Sequence, residues 1–274
     1  MTIPPSAAAP HEPLQAPRTT RGRLRLIGPG IVLALSSVGA SDMITTLNSG
    51  AEHGLALIWV FTVGILLKFV LSEAVARVQM SGDRSLMSHM STAGGRLFPV
   101  VFLVAELLVG LFFGASVVSV CAMILQSLIP GLPFWPTAIV VLASAMVMLW
   151  VGRYGFVEKV MMGFGILMFF GIVALAITTA QGQEAQEIAT QTLVPVMPGG
   201  SLITVLSLIG GVGGATGILA YSFWIREKAW RGVQWKATIR TDLLISYGVV
   251  FVFAVAMTMV GAFLLIEGAP DKLA

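Results

Sequence analysis

The sequence predicts an all-α, polytopic membrane protein, and three observations carry the prediction. Hydrophobic residues make up 57% of the 274 and charged residues 11%, with a mean hydropathy of +0.92, whereas a soluble domain carries roughly 25% charged residues. Seven apolar stretches are long enough for membrane-crossing helices, which need about 20 residues each. The runs are continuous rather than alternating, and this excludes a β-barrel.

In chain order, residues 1–20 are rich in Pro and Ala and read as a disordered cytoplasmic tail. The first apolar run lies behind that tail and is longer than a signal core, so it is not a secretory signal. The transmembrane domain occupies 21–266, with helices at about 26–48, 54–79, 97–128, 134–151, 156–180, 201–224 and 241–266, and 267–274 form an extracytoplasmic tail. Several runs exceed the minimum length, so tilt or extension beyond the bilayer is expected. Cys121 lies inside the third run, excludes a disulfide within the chain and reads as a buried structural thiol.

The basic residues set the topology. Arg18, Arg21, Arg23 and Arg25 precede the first span, Arg77, Arg84 and Arg96 follow the second, and Arg153 and Lys159 follow the fourth. Arg226, Lys228, Arg231, Lys236 and Arg240 follow the sixth, which places 14 of the 16 Lys and Arg residues on one side. The alternate loops hold Glu52, Glu184 and Glu187 and no basic residue before Lys272. The positive-inside rule then puts the N-terminus in the cytoplasm and the C-terminus of this chain outside, in a plasma (inner) membrane.

The most informative side chain is Asp42, a carboxylate within the first span. At the bilayer centre such a group costs about 2.5–3.5 kcal/mol on insertion scales, which marks a functional site. It follows Gly39, Ala40 and Ser41 and has Ser36, Ser37, Thr45 and Thr46 nearby; an opened backbone here would add carbonyl oxygens. Such an oxygen cage suits a hard or borderline divalent cation. The sixth span carries Gly210, Gly211, Gly213, Gly214 and Gly217 with Thr216. Two glycine-interrupted spans in comparable places point to the binding site of a secondary transporter, although close helix packing also selects such glycines.

Lys68, Glu73 and Glu106 are the other ionisable groups read as lying within spans. Glu73 has Arg77 at i+4, an ordinary helical ion pair, and Lys68 can pair across helices or snorkel. Together with Glu106 they are the candidates for a proton path or for gating. His11, His53 and His89 stand at no metal-ligand spacing, and no nucleophile elbow or phosphate loop is present, so neither an enzyme nor a soluble-type zinc site is indicated. Nothing points to nucleic acid; Trp230 and Trp235, within a basic segment, read as interfacial anchors.

The first-span stretch GPGIVLALSSVGASDMITTLNSGAEHGLALIW resembles the opening of the Nramp family of divalent metal transporters. GGVGGATGILAYSFWIREKAW in the sixth span and KFVLSEAVARVQMSGD in the second fit an outlying branch related to that family. The resemblance runs over 21–266. It implies a LeuT-like, amino-acid–polyamine-cation architecture of two inverted five-helix repeats, with the ion between broken helices one and six. Seven helices supply the first repeat and two helices of the second, so the resemblance implies further helices, from a longer chain or a second chain.

The resemblance also shows departures. Core members carry Asp-Pro-Gly-Asn in helix one; here those positions read Gly39, Ala40, Ser41 and Asp42, so one carboxylate stands three residues on. The core Met and His of helix six fall on Gly217 and Leu219, and of the helix-three acidic pair Glu106 is kept while the other position is Leu103. Without the thioether a soft ligand is missing, and magnesium joins manganese as the expected ion. The implied site is Asp42 with Gly39, Ala40, Ser41, Thr45, Gly213, Gly214, Thr216 and Gly217. The cation is cargo rather than a resident cofactor, moved by alternating access with proton coupling open. An organic-solute symporter of the same architecture and a non-transporting subunit or fragment are the alternatives.

Overall fold

The computed structural model describes residues 16–17, 19–26, 40–81, 88, 91–92, 95, 97–151, 154–181, 197–199, 201–211 and 215–265. Its elements are α1 (Thr20–Leu26), α2 (Ala40–His53), α3 (Ile58–Met80), α4 (Leu97–Leu128), α5 (Phe134–Val151), α6 (Tyr154–Thr179), α7 (Leu202–Gly211), α8 (Ala215–Glu227) and α9 (Lys236–Leu265). A 3-10 turn, Val233–Trp235, leads into α9. No strand occurs among the described residues. The expected tails fall outside them except for residues 16–17, 19 and 20.

Helices α4 and α5 have the expected ends, while the others show what hydropathy misses. The second span begins at Ile58 because Gly54 (φ 57°) ends α2 in a left-handed cap, its N–H donating to the Gly50 carbonyl at 2.9 Å. The seventh begins at Lys236, five residues before 241, because the helix continues past Arg240 and Asp242. The sixth is described as two helices, α7 and α8, with 212–214 outside the described residues. By length and apolar composition, 58–80, 99–128 and 233–264 can each cross a membrane, and 134–148 and 163–179 are shorter apolar runs.

Helix α9 is the centre of the packing, against α2, α3 and α6, and α3 in turn holds α7 and α8. Phe61, Leu208, Tyr221, Ile225, Ile239 and Leu243 interdigitate in that core. Helix α4 packs mainly on α5, and its outward face, with Leu107, Leu111 and Phe112, stays exposed; an apolar surface of this kind suits lipid. Cys121, on α4, is half-buried and free.

Two glycines let α2 and α9 meet backbone to backbone. A Cβ on Gly50 would overlap the Thr258 carbonyl oxygen and lie 2.9 Å from the Ala262 nitrogen. One on Gly261 would overlap the Leu47 carbonyl oxygen and lie 3.2 Å from the Ala51 nitrogen. Small residues at such crossings are the membrane solution to close helix approach.

Helix α8 ends in a Schellman-type cap with Ala229 at φ 53°: Trp230 N–H reaches the Ile225 carbonyl at 3.1 Å and Ala229 N–H the Arg226 carbonyl at 3.0 Å. The reversal lays Trp230 on Trp235, ring centroids 5.5 Å apart and planes 11° from parallel. Both rings are 2% exposed. The sequence expectation of interfacial anchors is therefore corrected: mutual stacking buries these indoles in the core. Gly232 N–H then donates to the Met80 carbonyl at 3.2 Å and ties the turn to the end of α3.

Candidate functional site

The expected site residues fall at two places. Ala40, Ser41 and Asp42 are the first described residues of α2; their helical backbone is described and their side chains are not, and Gly39 lies outside the described residues. Thr45, on the next turn, is half-buried, and the buried Thr46 donates its hydroxyl to the Met43 carbonyl at 3.0 Å.

The second place is the sixth span on either side of residues 212–214. Helix α7 is described as far as Gly211 and α8 from Ala215. Gly213 and Gly214 lie outside the described residues, while Thr216, described in its backbone alone, and Gly217 belong to α8. Half-helix α7 packs against α2, so the helix carrying Asp42 and the first half of the sixth span are neighbours.

Helix α3 contacts this span through a side chain. Lys68 Nζ donates to the Gly210 carbonyl at 2.9 Å, a contact between residues 142 apart in sequence. Glu73 behaves as the spacing predicts: Arg77 Nη2 donates to its Oε1 at 2.6 Å. Glu106 stands half-buried on α4 and Leu103, one turn before it, is exposed.

A further polar layer escaped the sequence analysis. Tyr221, on α8, donates its hydroxyl to Asp242 Oδ2 at 2.9 Å, and both residues are fully buried. One turn along, the hydroxyls of Ser72 (α3) and Tyr247 (α9) share a hydrogen bond of 2.7 Å. Asp242 lies at the start of the seventh apolar run, two residues from Arg240, where hydropathy alone does not single it out. The recurrence of Trp235, Ile239, Leu243 and Val250 at helical spacing, all buried, is the signal that extends the helix back and places Asp242 on its inner face. Among the described residues no group of three His, Cys, Asp or Glu side chains is placed to hold a metal ion. The side chain of Asp42 is not among those described.

The helical architecture is that of a polytopic membrane protein of the LeuT-like fold. The chain superimposes on the crystal structure of a manganese transporter variant from Eremococcus coleocola with a TM-score of 0.67 at 16% identity, covering 91% of this chain and 54% of that one. Its sequence matches the model for natural resistance-associated macrophage protein-like proteins over residues 30–272. The chain belongs to this family, the Nramp family. It is 26% identical over 149 residues to the metal transporter Nramp1 of Oryza sativa, and 24% identical over 153 residues to the divalent metal cation transporter MntH of Staphylococcus haemolyticus. These matches cover 52% and 56% of this chain but 27% and 34% of those relatives, so it spans only part of their length.

Proposed function

We propose that this chain moves a divalent metal cation, of the manganese or magnesium type, across the plasma membrane by alternating access. The cation is held by the Asp42 carboxylate, with oxygens from Gly39, Ala40, Ser41 and Thr45 and from the segment Gly213, Gly214, Thr216 and Gly217. The observation that supports this reading is the packing of α7 against α2, which sets the first described part of the sixth span beside the helix of Asp42. Half-helix ends and unwound carbonyls are the cation ligands of transporters built this way. The distribution of Lys and Arg supports a cytoplasmic N-terminus. Glu106, Lys68 and Glu73 are proposed for proton movement or gating, with Arg77 fixing Glu73.

Isothermal titration of manganese and magnesium into the purified chain tests this. Asp42→Ala is expected to weaken binding by at least about tenfold, or 1.4 kcal/mol. Equal affinity in the variant would remove Asp42 from the site. Competition of uptake by amino acids instead would favour organic-solute symport.

A further inference from the structure

We infer that the end of the bundle where α3 closes and α9 begins is a binding surface for an anionic phospholipid. Lys236 and Arg240 hold its phosphate, with Arg77 beside them, and an acyl chain lies along Leu244 and Gly248. None of the ion ligands proposed above takes part.

Two helices and the turn between α8 and α9 bring these charges together. Gly232 N–H, on the Met80 carbonyl at 3.2 Å, fastens the turn before α9 to the last residue of α3. Arg77 stands on the last turn of α3, and its Nη2 bonds Glu73 Oε1 at 2.6 Å. Lys236 and Arg240, on the first turns of α9, act electrostatically on the same carboxylate from across the helix pair. Three cations thus gather at one acidic group, and the excess of positive charge favours an anion. Arg226, Lys228 and Arg231, all exposed and with Glu227 among them, extend the charge along the turn.

The surface beside these charges selects a lipid over a soluble anion. Lys236, Arg240, Leu244 and Gly248 follow one another at four-residue steps and all are exposed, so they form one outward row on α9. The row passes from two cations to apolar surface, and a Cβ added at Gly248 would meet nothing within 4 Å, which leaves room for a chain beside Leu244. The same order recurs on the neighbouring helices: exposed Val70 lies two turns before Arg77, and exposed Phe223 lies one turn before Arg226. Val233, at the tip of the turn, is 82% exposed. Because 58–80 and 233–264 are both apolar enough to cross a membrane, cations where these two spans meet stand at headgroup depth. An acidic protein segment or free phosphate would meet the charges but leave the apolar side chains in water.

A basic end can also serve topology alone. That role is complete once the chain is inserted and asks for no bound lipid, so retention of a lipid by the folded chain separates the two.

The test uses the full chain purified in detergent. Retained lipid, by native mass spectrometry, and melting temperature are followed with dioleoylphosphatidylglycerol, dioleoylphosphatidylcholine or inorganic phosphate. Phosphatidylglycerol is expected to be retained about tenfold better than phosphatidylcholine and to raise the melting temperature, whereas inorganic phosphate does not raise it. Lys236→Gln with Arg240→Gln is expected to abolish the preference, and Lys236→Arg with Arg240→Lys to keep it. Where the doubly neutral protein is not monodisperse, Lys236→Gln alone decides, with a preference about threefold smaller. Equal retention of the two lipids by the unaltered chain overturns the proposal and leaves these cations as a topology signal. A preference that survives neutralisation overturns the placement at Lys236 and Arg240. An equal rise in melting temperature with inorganic phosphate overturns the lipid as the ligand. Capture of polyglutamate without a preference between lipids also overturns it and assigns the surface to an acidic protein segment.

Discussion

Tyr221 and Asp242 carry a hydrogen bond between helices, and both residues are fully buried. Removing the phenolic oxygen leaves a buried carboxylate with one donor fewer, a loss worth about 1–3 kcal/mol. Tyr221→Phe is therefore expected to lower the melting temperature in detergent clearly. Ser246→Ala should hardly change it, because the Ser246 hydroxyl bonds the Asp242 carbonyl of its own helix at 2.6 Å. Equal melting of the two variants would show that the Tyr221 bond contributes nothing. Sequence reading at this scale succeeds where partners are close in the chain: Glu73 and Arg77 pair as i,i+4 spacing predicts. It fails for Lys68 and Gly210, since no local pattern links residues 142 apart. It fails for Trp230 too, because the cap at Ala229 that turns its ring onto Trp235 is made by a non-Gly residue at positive φ, which no sequence signal marks.

At the level of helices, glycines that look alike in sequence do different work. Gly50 has the Thr258 carbonyl and the Ala262 nitrogen within the volume a methyl group would need, whereas at Gly64 the nearest atom to an added Cβ is 3.5 Å away. Gly50→Ala is expected to cost about 1–3 kcal/mol through overpacking against backbone that cannot yield. Gly64→Ala should stay within about 0.5 kcal/mol of the parent. Reversed effects in a thermal or denaturant series would disprove the backbone contact between α2 and α9. The long apolar helices were legible because 97–128 and 134–151 are bounded by turn residues that also end the hydropathy. The start of α9 was not, since Lys236, Arg240 and Asp242 depress hydropathy over a stretch that tertiary packing keeps helical.

For the whole molecule, orientation is the property that sequence alone proposes and a single experiment can decide. In a Cys121→Ala background, Ile129→Cys is expected to react with an impermeant maleimide in intact cells, and Ser81→Cys only after lysis. Both positions are exposed, so access to reagent rather than burial sets the outcome, and the opposite pattern would invert the topology. The membrane class, the helical fold and the family were all readable from apolar run lengths, basic-residue placement and three stretches of sequence. The cross-helix bonds were not, because they depend on which helix faces meet. One of those meetings has a mechanical meaning. With Gly50 seated on Thr258 and Gly261 on Leu47, a slip of one residue, about 1.5 Å, would drive Ser49 or Ala51 and Val260 or Ala262 into the two notches. The pair is keyed like a shaft in its hub: it can turn together but cannot slide. Through Asp242 and Tyr247, α9 also grips α8 and α3. The helix bearing Asp42 and α8 are thus both fastened to α9, one by backbone contact and the other by a buried hydrogen bond, so the proposed transport cycle is expected to move them as one part rather than as two independent gates.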